Sequence, residues 1–130
     1  MSRAREVTNA LADIIKEAVP GVKWNVNIVG ASAGKGLEGT ISCDKVTFEQ
    51  DAYDVCTATA VYSIYVLDIN GTTDIIDDLS DTLFDVLHNN DLGGMIDNGL
   101  VKRIVFGAVA NNTKAVAMLL EYQVEYDMEV

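Results

Sequence analysis

Residues 114–130 read Lys-Ala-Val-Ala-Met-Leu-Leu-Glu-Tyr-Gln-Val-Glu-Tyr-Asp-Met-Glu-Val, and the reading of this run decides the fold. From Val116 onward every second residue is apolar: Val116, Met118, Leu120, Tyr122, Val124, Tyr126, Met128 and Val130. Between them lie Ala117, Leu119, Glu121, Gln123, Glu125, Asp127 and Glu129, so the second face turns acidic at Glu121. Successive side chains of a strand point to opposite faces, and this alternation predicts a β-strand with one buried and one wetted face. At roughly 3.3 Å per residue the strand reaches about 50 Å, against about 30 Å across for a compact domain of this size. The length predicts a strand that overshoots its own core and is covered there by a neighbour. On that reading, removing residues 124–130 abolishes assembly while the core still folds.

Working back from this run, Tyr53 to Asp68 is a second long strand. Cys56, Ala58, Ala60, Tyr62, Ile64 and Val66 form one face, and the small residues among them let a helix lie close. Val55, Thr57, Thr59, Val61, Ser63, Tyr65 and Leu67 form the other face, whose Thr and Ser suit partial exposure. Leu100 to Ala110 is a strand that turns at Asn111-Asn112 into 114–130 as a hairpin. Two shorter strands are expected, one over Lys23–Val29 and one within Thr40–Glu49 with Val46 and Phe48 on one face.

Two amphipathic helices complete the set. Residues 3–19 place Val7, Leu11, Ile14, Ile15 and Ala18 at helical spacing and stop at Pro20-Gly21. Thr72 or Thr73 caps a second helix running to about Asn89, with Ile75, Ile76, Leu79, Leu83, Val86 and Leu87 as its stripe. Asp74, Asp77 and Asp78 sit in its first turns, where the helix dipole favours negative charge, and Asp81 and Asp85 extend the acidic side. The expected fold is therefore α+β, in the order α-β-β-β-α-β-β. Two helices pack on one face of a mainly antiparallel sheet of five strands, and residues 1–130 form one domain.

Composition narrows the function. Twenty acids against nine bases give a net charge of −11, and Lys102-Arg103 is the only adjacent basic pair, which argues against specific nucleic-acid binding. Hydrophobic content of 49% with a single proline argues against disorder. No apolar run approaches the roughly 20 residues of a membrane span. The opening residues lack the apolar core of a secretory signal, and the chain is expected to be soluble and cytoplasmic where it is made. Cys43 and Cys56 have no metal-ligand spacing and read as reduced, partly buried small hydrophobes. Without a secretion signal, the glycosylation patterns at Asn70-Gly71-Thr72 and Asn111-Asn112-Thr113 carry no weight.

Three chemical readings fail on spacing. Gly30 to Gly39 superficially looks like a phosphate loop, but three residues instead of four separate Gly30 from Gly34, and Gly36 replaces the required Ser or Thr. The stretch around Asp68, Asn70 and Thr72 lacks the Gly and the final Glu of a calcium loop. The single histidine, His88, stands near a helix C-terminus, where the dipole alone explains it, and no carboxylate pair is singled out as acid and base. No catalytic residue, cofactor or metal is expected.

The order of elements resembles the tail terminator and tail completion proteins of long-tailed bacteriophages and phage-derived tail-like particles. The resemblance covers the opening helix, the 53–68 strand, the 73–89 helix and the 100–110/114–130 hairpin. It lies in the layout and carries no residue motif. It implies a structural, non-enzymatic protein that caps the tail tube as a ring, commonly hexameric, and joins it to the head or collar. The implied setting is a virion or tail-like particle assembled in the host cytoplasm. The implied partners are further copies of the chain, tail tube and sheath proteins, and head-completion or collar proteins. The alternatives are another head–tail joining component, or a small ligand-binding α+β domain whose 30–39 loop closes over an anion with Lys35. For the ring contacts the expected residues are Val124, Tyr126, Met128 and Val130 on the long strand, with Lys35, Leu37, Leu92 and Met95 from the 30–39 and 90–99 loops. Glu121, Glu125, Asp127 and Glu129 are expected either to line the channel, repelling DNA in transit, or simply to face solvent.

Overall fold

Helix α1 (Arg3–Ala18) buries Val7, Leu11 and Ile15 along one stripe, with Thr8 and Ala12 beside them. Arg5, Asp13, Lys16 and Glu17 stay exposed, and the chain turns through Pro20 and Gly21 into β1 (Lys23–Val26). The long strands β2 (Leu37–Ala52) and β3 (Val55–Asp68) follow, then α2 (Thr73–Leu87), β4 (Asn98–Val109) and β5 (Asn112–Glu129). This computed structural model describes residues 3–26, 37–68, 73–109 and 112–129. The sheet order is β1-β2-β3-β5-β4; β1 pairs parallel with β2, and every other pairing is antiparallel. The architecture is the expected α+β one, in the expected order of elements.

Both helices cover the same face of the sheet. Val7, Leu11 and Ile15 of α1 and Ile76, Leu79, Leu83 and Leu87 of α2 share one buried cluster with Ala58, Ala60, Tyr62, Ile64 and Val66 of β3 and alternate residues of β5. Ala58 and Ala60 supply the close approach expected of them, since both are essentially inaccessible. Two glycines are fixed by neighbouring aromatic rings. A Cβ at Gly39 would overlap the Trp24 ring, and one at Gly99 would overlap the Tyr122 hydroxyl, which donates to the Leu87 carbonyl at 2.9 Å.

The long strand does not overshoot. From Val116 to Glu129 every residue of β5 pairs with β3, and β4 lies along its other side. Val124 and Tyr126 are 0% and 1% exposed, because the 88–97 connection folds back over that end of the core. Leu92 and Ile96 of the connection belong to the same buried cluster, the Asp97 amide donates to the Glu125 carbonyl at 2.8 Å, and Arg3 of α1 donates to the Met95 carbonyl at 2.9 Å. Removing 124–130 therefore cuts into the core. The excess length belongs to the whole sheet, since β2 and β3 are long as well. Strand β2 starts at Leu37 and runs to Ala52, longer at both ends than Thr40–Glu49.

Ile75, expected in the stripe of α2, is 44% exposed, whereas Ile76, Leu79, Leu83 and Leu87 are buried. The Asn70-Gly71 turn, Thr72, residues 27–36 with Lys35, Asn111 and Val130 lie outside the described residues, as do the side chains of Thr73 and Glu129.

Candidate functional site

Among the described residues no helix lies on the second face of the sheet, and the register lays that face out in rows. Reading β2, β3, β5 and β4 in turn, one row is Glu38, Leu67, Ala117 and Gly107, and the next is Thr40, Tyr65, Leu119 and Val105. The middle rows are Ser42, Ser63, Glu121 and Arg103, then Lys45, Val61, Gln123 and Leu100. The last rows are Thr47, Thr59, Glu125 and Asn98, then Glu49, Thr57 and Asp127. The face thus grades from apolar at one end to threonine and carboxylate at the other.

At the apolar end Leu67, Ala115 and Ala117 form a small buried cluster of their own. In the middle, Arg103 donates to Glu121 at 2.7 Å, and the Ser63 hydroxyl donates to Asp44, which also accepts from Ser42. Glu121 is thereby half-buried and neutralised by a neighbour, which sets it apart from Glu125 and Asp127. Those two are exposed, and Asp127 accepts from the Thr57 hydroxyl at 3.4 Å.

The residues expected at contacts divide. Val124, Tyr126 and Leu92 are core residues of this chain and offer nothing to a neighbour. Leu92 is held there at a φ of 52° within a turn that continues through Gly93 and Gly94, both also at positive φ. Met128, Leu37 and Met95 are half-buried at the margin of the same core. Leu37 also lines a shallow, open depression of about 310 Å³ with Val19, Val22, Ile75 and Leu79, where Asp78 is the only ionisable residue among the described lining. A single carboxylate on an apolar wall lacks the partner that acid–base work needs.

His88 serves the fold. Its Nδ1 accepts from the Val101 amide at 3.1 Å and its ring stacks on Phe84, tying the end of α2 to β4. The helix closes on Asn89 at a φ of 62°, a left-handed cap. The Asn90 side chain donates to the Val86 carbonyl and accepts from the Leu92 amide. Under α1, the Tyr62 hydroxyl meets Thr8 Oγ1 at 2.7 Å, and burial pushes its pKa up. Burial alone pushes Tyr122 up to about 12, and it also raises Tyr126 and the Cys43 thiol. Among the described residues no group of His, Cys, Asp and Glu is placed to hold a metal ion, and no helix is long and apolar enough to cross a membrane.

Sequence reasoning missed the exposed apolar residues at the sheet margins. Phe48 (61%) and Tyr53 (98%) stand on the β2–β3 hairpin, and Val105 (46%) and Phe106 (50%) stand on β4. The strand pattern placed Phe48 on one face with Val46 and gave no face to Tyr53, Val105 or Phe106. Only the sheet order shows that β4 has a neighbour on one side and none among the described residues on the other.

No protein-family model and no curated protein matches the sequence. Among solved structures, the fold is similar to that of a chain in the virion of a native gene transfer agent particle. The TM-score is 0.73 and the identity 14%, over 93% of this chain and 94% of that one. A second solved chain is 20% identical over 95% of this chain and 96% of that one, with a TM-score of 0.49.

Proposed function

We propose that this chain is a structural protein of a phage-type or tail-like particle, which caps the tail tube as a ring and joins it to the head or collar. The fold shared with a gene transfer agent virion chain, over nearly the whole of both, supports the particle setting. The observation that carries the reading is the helix-free face of the sheet. It is a broad surface whose rows at one end are threonine and carboxylate, with Glu125 and Asp127 exposed.

Turned toward the channel, such a face presents negative charge and short hydroxyls to passing DNA. Like charge repels the phosphate backbone and keeps the strand moving without adhesion. Glu125 and Asp127 carry this role. Glu121 contributes less because Arg103 already answers its charge.

Particles produced without this chain should carry tails of irregular length and fail to join heads, and electron microscopy of negatively stained particles reads both. Normal tails on normal heads would sink the proposal. For the channel face, Glu125→Lys with Asp127→Lys should leave tail length and ring formation intact while cutting DNA delivery. Unchanged delivery assigns those residues to solvent.

A further inference from the structure

We propose that copies of this chain join edge to edge, the free side of β4 in one copy taking the outer limb of β2 in the next. The proposal rests on the ring reading above and names the contact that closes it. The sheet order leaves β4 terminal; Asn89 and His88 bond to its outer edge at Gly99 and Val101, and among the described residues no strand pairs with that edge from Arg103 to Val109. On the opposite margin, β1 pairs with β2 only from Glu38 to Ile41, and among the described residues no strand pairs with the far side of 45–49. Each margin thus presents a row of backbone donors and acceptors, the template on which strands of separate chains pair.

The side chains at the two margins are complementary. Both carry exposed apolar residues, Val105 and Phe106 on β4 and Phe48 and Tyr53 on the β2 limb and its turn. Their charges are opposite. Strand β4 has Lys102 and Arg103, both exposed, the second already paired with Glu121, and no acid from 98 to 109. The β2 limb and its turn carry Glu49 and Asp54, both exposed, against Lys45. A chain of net charge −11 repels its own copies unless its few cations are spent at the contact, and β4 holds the one adjacent pair of them.

Strand direction agrees. Strands β2, β3, β5 and β4 alternate in direction, so β4 runs opposite to β2 within one copy. Rotation about an axis lying along the strands preserves direction. The β4 of one copy therefore meets the β2 of the next antiparallel. Two different patches in contact form a head-to-tail interface, the kind that closes into a ring. The competing role for Lys102, beside the bulge between Val101 and Arg103, is to guard a bare edge against pairing.

The test compares the full-length wild type, Lys102→Glu, Glu49→Lys and the double variant by light scattering and native mass spectrometry. Both residues are exposed, so thermal melts should be unchanged. Each single reversal should weaken self-association about tenfold or more, and the double variant should recover most of the loss. Amides of 104–107 should exchange at least about tenfold more slowly in assembled wild type than in the Lys102→Glu variant. Single variants that assemble like wild type, with no added amide protection, overturn the contact and leave the ring reading standing. A wild type that stays monomeric, both alone and on tail tubes, overturns the ring reading and this contact with it.

Discussion

Strand β5 shows two environments one residue apart. Met118, Leu120, Tyr122, Val124 and Tyr126 are all within 1% of complete burial, whereas Glu125 and Asp127, on the alternate positions, are exposed. One side is closed by α1, α2 and the 88–97 connection, and its content is dictated by packing. The other side is helix-free, and packing does not require its threonines and carboxylates. Substitution on the first side should therefore be read out in stability, and substitution on the second in assembly and passage.

The sharpest break of that contrast is Leu120→Ala, which empties the centre of the covered face. It should cost about 2–5 kcal/mol, read as a lower urea midpoint at unchanged m-value. Gly99→Ala should follow at about 1–3 kcal/mol, because the new methyl displaces the Tyr122 hydroxyl from Leu87.

Alkaline pH offers a graded probe of the same side. Tyr122 stands at about 12 in the fold against 10.0 unperturbed, so above pH 10 the unfolded chain releases a proton that the folded chain keeps. The tyrosine contribution to stability should be flat below pH 10 and fall as pH rises toward 12, by up to about 1.4 kcal/mol per pH unit for each such tyrosine. Urea melts at stepped pH check this, and Tyr122→Phe should flatten the slope.

The smallest effect belongs to the open side. Glu121→Gln breaks a pair with Arg103 that is largely exposed, and should change stability by no more than about 0.5 kcal/mol. A loss several times larger would show that the open face takes part in the core after all.

Much of this contrast was legible in the sequence, because period-two alternation reports which side chains share a face whatever lies above them. The partition of β5, the small residues of β3 and both helix stripes, apart from the exposed Ile75, followed from spacing alone. What lies above a face is not periodic information. Val124 and Tyr126 were assigned to a neighbour because strand length alone does not reveal that Leu92 and Ile96, in a stretch rich in turn formers, fold back as cover. Strand β2 was read short for a different reason. Its pairing with β3 shifts between Cys43 and Lys45, so its alternation changes phase at Asp44. The margins at 103–109 of β4 and 45–49 of β2 depend on strand order, which no local pattern encodes.

The seam between β3 and β5 has a consequence for how the chain reaches its native state. It joins Val55 to Glu129 and Asp68 to Val116, whereas the hairpins on either side, β2–β3 and β4–β5, zip from local turns. Neither hairpin covers its apolar face alone. Pairing over such long sequence separations should slow refolding to milliseconds or longer, which stopped-flow refolding checks. A newly made chain therefore spends its first moments with both halves uncovered, and in that interval it is most exposed to pairing with the wrong copy.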